Sequence, residues 1–304
     1  MTQLILEQAL NGLQFGLMLF LLAAGLTLVF GIMDMINLAH GSLYMAGAYL
    51  AAAATQASGS FVVGIGAAMA GTAIIGALLE VVLLRRLYAR NHLAQVLATF
   101  ALILIFNEVV RIIWGAQPVL LNAPEALSGP VNFGGFFYPA YRLLIIVVGT
   151  LIAALLYVLV TQTRLGMWVR AGASNREMTE ALGINVRRLF TYVFAFGAAL
   201  CALAGALLGP LLAVQVGMGE SILILAFVVI VIGGIGSIRG ALIGSLLVGV
   251  VDTLGRAALP ALLRLVLSSE VASNLGPALA SILIYVLMAA ILFWRPEGLF
   301  PART

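Results

Sequence analysis

The residues that could do chemistry in this 304-residue chain fall into three short stretches. In INLAHGSLYM, Asn37, His40, Ser42 and Tyr44 cluster around Gly41 between two apolar runs. Unpaired polar groups are costly in an apolar medium, so these side chains either line a path for a polar solute or close a break in a helix. In GGIGSIRG, Gly233, Gly234, Gly236, Ser237 and Gly240 form a second cluster. It has the glycines of an anion-binding loop but lacks the strand and the lysine that a phosphate cradle needs. Close helix packing through small residues and a turn lining a cavity both remain open for it. The third stretch, TQTRLGMWVRAGASNREMTEALGINVRRL, carries most of the charge.

Catalysis finds no support in these stretches. No nucleophile–base pair is evident. One cysteine, Cys201, allows neither an internal disulfide nor a thiolate metal site. The two histidines, His40 and His92, are far apart in sequence, which argues against metal binding. Glu108 with Arg111 and Asp252 with Arg256 have the i, i+3 and i, i+4 spacing of ion pairs on one helix face, whereas a proton relay would need an acid without a partner.

The elements that position these residues follow from composition. Apolar residues make up 63% of the chain and charged residues 9%, with a mean hydropathy of +1.18. A soluble core cannot absorb that much apolar surface. This excludes a soluble enzyme, a nucleic-acid-binding domain and a disordered chain. Long continuous runs, rather than alternating ones, argue against a β-barrel. Nine runs are evident: 9–32, 42–56, 61–84, 93–114, 143–161, 189–212, 222–232, 241–259 and 277–294. Runs 42–56 and 222–232 are too short to span untilted, and each adjoins one of the Gly-rich polar clusters. The expected fold is an all-α polytopic membrane protein of eight or nine transmembrane helices, with broken or short helices near Gly31–Ser42 and Gly233–Gly240. The first run, preceded by no basic region, reads as an uncleaved span. The loop 115–141, with Pro118, Pro124, Pro130 and Pro139, reads as irregular.

All 15 basic residues are arginine. With loop 162–188 inside, eleven arginines fall inside and four outside, which places the N-terminus outside and the C-terminus in the cytoplasm. Within that loop, Ser174 to Glu177 has the capping-box pattern, and Gly183 stands where a helix C-cap glycine belongs. A two-turn helix over 175–182 is expected, with Met178, Ala181 and Leu182 on one face. It either lies on lipid headgroups or docks into a groove on a soluble partner.

The text of this loop is similar to the branched-chain amino acid permease family, the LivH type. GLTLVFGIMDMINLAHGSLYMAGAYL, EVVRIIWG, AFVVIVIGGIGSIRGALIGSLLVG and FWRPEGLF agree with that family in order, so the resemblance covers nearly the whole chain. It departs from the family's frequent residues at Leu38, Ser42 and Arg239. The resemblance implies a single permease domain over 1–304 in a bacterial inner membrane, forming the path for branched-chain or related amino acids. It implies a second, similar permease subunit, two cytoplasmic ATPase subunits and a periplasmic solute-binding protein. This chain would then carry no cofactor, with ATP and Mg in the partner subunits. Glu177, Met178, Glu180, Ala181, Leu182 and Gly183 would couple to the ATPase. Asn37, His40, Gly41, Ser42, Tyr44, Gly233, Gly234, Gly236 and Ser237 are the expected path residues. Urea or short amides are the alternative solutes, and an ion-coupled carrier or a passive channel the alternative mechanisms.

Overall fold

The computed structural model describes residues 2–133 and 136–300. Nine long helices correspond one for one to the nine apolar runs: α1 (Thr2–Met33), α2 (His40–Ser58), α3 (Phe61–Leu79), α5 (His92–Trp114), α6 (Ala140–Gln162), α9 (Val186–Leu208), α10 (Met218–Gly233), α11 (Ile238–Leu263) and α12 (Ser269–Trp294). Helix α3 continues through a π-helical turn, Glu80–Leu84, into α4 (Arg85–Leu87). Seven of these spans are long and apolar enough to cross a membrane. Helix α10, at 16 residues, is about 24 Å long and shorter than a bilayer core.

The two breaks fall where the short runs predicted. Chain 34–39 separates α1 from α2, and Gly234–Ser237 separates α10 from α11. Irregular backbone at membrane depth must be enclosed by protein, and Met35, Asn37 and Ala39 are buried. The loop 115–141 is more regular than expected. It holds a two-stranded antiparallel hairpin, β1 (Pro130–Phe133) with β2 (Phe136–Pro139), and Val119 bridges to Val214. Backbone pairing in the hairpin and the bridge satisfies donors and acceptors of this segment.

Helices α1 and α9 form the centre, their apolar faces buried all round, while α3, α5, α6, α11 and α12 turn large apolar side chains outward. The packing has an internal symmetry. Helix α1 packs on α11 as α9 packs on α3; α2 packs on α3 as α10 on α11; α2 packs on α9 as α10 on α1; and α2 meets α5 as α10 meets α12. The quartets α1–α2–α3–α5 and α9–α10–α11–α12 are thus repeats. Five chain reversals separate α1 from α9, so the repeats run in opposite directions, an inverted arrangement. The close contact of α11 with α12 has no counterpart of similar extent in the first quartet.

Glycines mark the pseudo-symmetry axis. A Cβ on Gly41 would lie 2.3 Å from the Gly219 carbonyl oxygen, and one on Gly219 would lie 2.1 Å from that of Gly41. Gly25 and Gly197 make the same reciprocal contact between α1 and α9. Only residues without a side chain let two backbones cross this closely.

Candidate functional site

Three features of the fold could serve function: the crossing of the short helices, a cavity at the Arg-rich end, and the surface formed by the loop 162–188.

The crossing is built by the first polar cluster. His40 opens α2 beside Gly25 and Gly197, and Gly197 lies midway along α9, so α2 begins at mid-depth. The α10 N-terminus meets it there through Gly219. The positive ends of two helix dipoles therefore converge inside the bundle. The Asn37 Oδ1 accepts from the Ala39 amide at 3.1 Å and closes the turn before α2. Its Nδ2 has no hydrogen-bond partner among the described residues. The His40 Nε2 lies 2.9 Å from the Cys201 Sγ, and the ring makes a T-shaped contact with Phe194, while Nδ1 has no partner among the described residues. Ser42 and Tyr44 are buried on the same helix. Sequence left two roles open for this cluster; the bond that Asn37 accepts lies within the helix break, and the other polar groups of the cluster stay buried on α2.

The second cluster divides. Gly233 packs reciprocally on Gly240. Gly234, with φ of 103°, lies beneath the C-terminal turn, where the Leu299 and Phe300 amides donate to the Ile232 and Gly233 carbonyls. Gly236 and Ser237 instead line a cavity of about 660 Å³ between α1, α6, α7 (Arg164–Ser174) and α11. The other seven expected path residues do not line this cavity. Its walls include Thr27, Asp34, Arg170 and Arg239, which sequence reasoning did not group. Arg239 donates to the Tyr157 hydroxyl at 3.0 Å and stacks over that ring. Arg170 donates to the Val160 carbonyl. One signal was available: Asp34 is the acid inside the first break.

The loop 162–188 is two helices rather than one. Helix α7 continues to Ser174, because the Asn175 amide still donates to the Ala171 carbonyl. The N-cap of α8 (Arg176–Ala181) is therefore Asn175, whose Oδ1 accepts from the Met178 amide at 2.9 Å, and not Ser174. The expected helix over 175–182 is thus shortened by one residue at each end. Its end is as predicted: Gly183 has φ of 87°, and the Ile184 amide donates back to the Thr179 carbonyl, a Schellman closure. Glu177, Met178, Glu180, Ala181, Leu182 and Gly183 are all exposed, Met178 by 59% and Leu182 by 74%. Arg176 ties α8 down. It pairs with Glu180 at 3.6 Å and sits 5.0 Å from the Phe190 ring centre and 6.0 Å from that of Tyr88.

Beneath Arg176 lies a network that sequence spacing concealed. Glu80 is fully buried and accepts from Arg85 (2.8 and 3.2 Å), the Tyr88 hydroxyl (3.0 Å) and the Thr191 hydroxyl (2.7 Å). Residues five apart diverge on an α-helix. The π-helical turn at Glu80–Leu84 adds a residue to the turn and brings Glu80 and Arg85 together. The expected ion pairs are also present, Glu108–Arg111 at 3.4 Å and Asp252–Arg256 at 2.8 Å. Among the described residues, no group of three or more His, Cys, Asp or Glu is placed to hold a metal ion.

An inverted helical repeat whose two short helices meet by their N-termini at mid-depth, in a chain this apolar, defines a multi-pass membrane transport protein. The family described as "Branched-chain amino acid transport system / permease component" matches residues 8–292, and the chain belongs to it. It is 31% identical to the high-affinity branched-chain amino acid transport system permease protein BraD of Pseudomonas aeruginosa, over 97% of this chain and 95% of that one. Identity to the corresponding protein LivH of Escherichia coli is 31%, over 96% of each. A probable branched-chain amino acid transport permease protein LivH of Methanocaldococcus jannaschii is 30% identical over 78% of this chain and 76% of its own length. No solved structure matches the chain.

Proposed function

We propose that this chain is the permease subunit of a bacterial inner-membrane ABC importer for branched-chain or related aliphatic amino acids. ATP, together with Mg, is bound by two cytoplasmic partner subunits, which hydrolyse the ATP. A second permease chain completes the path, and a periplasmic binding protein delivers the solute. The Arg-rich end faces the cytoplasm, by the positive-inside bias, which puts the N-terminus outside.

The observation that carries this reading is α8. A short helix with closed ends presents Met178 and Leu182 to solvent while Arg176 anchors it to α9 and to the turn after α4. An exposed apolar knob flanked by Glu177 and Glu180 suits a groove on a soluble partner. A six-residue helix buries too little to hold itself on lipid. Motion of the partner passes through Arg176 to α9, and through Tyr88, Glu80 and Thr191 to the end of α3. Helices α3 and α9 both pack on α2, so this motion reaches the mid-depth crossing. A neutral zwitterion suits that crossing, where helix N-termini and neutral polar groups replace full charges.

The test reconstitutes the complete importer in vesicles. Leucine uptake should require ATP and the binding protein and should be insensitive to an ionophore. Glu180→Lys should lower solute-stimulated ATP hydrolysis while insertion is unchanged. Uptake driven by an ion gradient without ATP would establish the carrier mechanism instead, and uptake of urea but not leucine would establish the alternative solute.

A further inference from the structure

The cavity between α1, α6, α7 and α11 holds groups that no step above uses. Asp34 stands at its rim, the one described non-glycine residue with a positive φ, 48°. Its carboxylate has no hydrogen-bond or ionic partner among the described residues, although Arg170 and Arg239 line the same cavity. Among the described residues the two guanidiniums, exposed like Asp34, meet only neutral groups, the Val160 carbonyl and the Tyr157 hydroxyl and ring, and each keeps free donors. The cavity has a volume of about 660 Å³, within the range of small-molecule sites. The rest of the wall is largely apolar, including Leu28, Phe30, Val169 and Ile235.

These groups select their ligand by chemistry. A simple anion would meet Asp34, and a simple cation would meet the two arginines. A ligand with both charges close together and an aliphatic tail satisfies all of them. We infer that this cavity is a resting site for a zwitterionic aliphatic amino acid on the Arg-rich side of the helix crossing, its ammonium group on Asp34, its carboxylate on Arg239 and Arg170, and its side chain against Leu28, Phe30 and Ile235. Gly236 and Ser237 thereby return to the solute path as part of its wall. The inference rests on the importer reading above and adds to it a site and a basis for selectivity.

The test measures equilibrium binding of radiolabelled leucine to the purified full-length chain in detergent, beside uptake by the complete importer. Saturable binding is expected, weakened about tenfold or more by Asp34→Asn and by Arg239→Gln, since each removes a charge-assisted contact. Asparagine tolerates a positive φ, so Asp34→Asn keeps the local turn. Glycerophosphoethanolamine, the headgroup of a zwitterionic lipid, should not displace leucine. Displacement by it would assign the cavity to lipid and overturn the inference. Leucine uptake by an importer whose permease binds no leucine at millimolar concentration, or binds it equally well as Asp34→Asn, would also overturn the inference and leave the proposed function standing. ATP-independent uptake in the wild type would overturn the proposed function itself.

Discussion

The crossing of α2 and α10 makes a quantitative prediction. Gly41→Ala places a methyl carbon 2.3 Å from the Gly219 carbonyl oxygen and 3.0 Å from the Leu223 Cβ; Gly219→Ala places one 2.1 Å from the Gly41 oxygen. Normal contact distances for such atoms exceed these by about 1 Å, and the obstructing atoms are backbone, so the two helices must separate. Over-packing of this kind costs about 1–3 kcal/mol per site. Both clashes are relieved by the same separation, so the costs should not add. The double variant should lose about as much as the worse single one, with a coupling energy of about 1 kcal/mol or more. Gly66→Ala is the control: it sits on exposed α3 with nothing within 4 Å, and it should be neutral or gain up to about 1 kcal/mol of helix propensity. Denaturant titration of the purified chain in detergent, followed by tryptophan fluorescence, reads all four variants. If Gly41→Ala behaves like Gly66→Ala, or if the two single losses sum in the double variant, the reciprocal contact does not hold the crossing together.

Three further outcomes follow from the Arg-rich end. Asn175→Ala should destabilise α8 by about 1 kcal/mol and raise local hydrogen exchange over 176–181, whereas Ser174→Ala should leave it unchanged; the reverse pattern would restore the capping box on Ser174. Glu80→Gln should cost about 2–3 kcal/mol, because an amide cannot accept from all four donors around the buried carboxylate. Arg85 is 32% exposed and can reach water, which keeps the cost at the low end of that for buried pairs, and a loss under about 1 kcal/mol in the same titration would show the network to be incidental. A cysteine at Glu177 should be labelled by an impermeant reagent only from the cytoplasmic side and one at Asn122 only from outside, against a background kept low by the burial of Cys201; labelling of position 177 in intact cells would invert the orientation.

Most of the fold was legible in the chain because a membrane leaves few solutions. Backbone groups in lipid must be satisfied within the segment, so long apolar runs can only be helices. Their number and the two breaks followed from run length and glycine. The closing turn of α8 was legible for the same local reason: Gly183 supplies a left-handed conformation that other residues adopt at a cost. The start of α8 was misplaced by a residue because Ser174 and Asn175 are both good caps. The choice fell to the extent of α7, which packs on α6 and α1. The charged groups were legible only where a regular helix brings them together, as in Asp252–Arg256. Glu80 and Arg85 escaped because a π-helical turn changes the spacing that pairs residues.

Composition and periodicity determined, without a structure, that this is a polytopic helical protein, and the spacing of its spans assigned eleven of its fifteen arginines to one side, with a capped helix among them. Those are properties of single segments, set by hydrophobic run length, backbone satisfaction and local capping chemistry. Tertiary structure alone decided that the two short helices meet N-terminus to N-terminus at mid-depth, that Gly233 and Gly234 pack against backbone while Gly236 and Ser237 face a cavity, and that Asp34 shares that cavity with Arg170 and Arg239. Each of these depends on which faces of distant helices come into contact. In an apolar chain almost every face is greasy enough to be buried, so the pairing is selected by close backbone approach at small residues such as Gly25, Gly41, Gly197 and Gly219, and not by hydrophobic pattern.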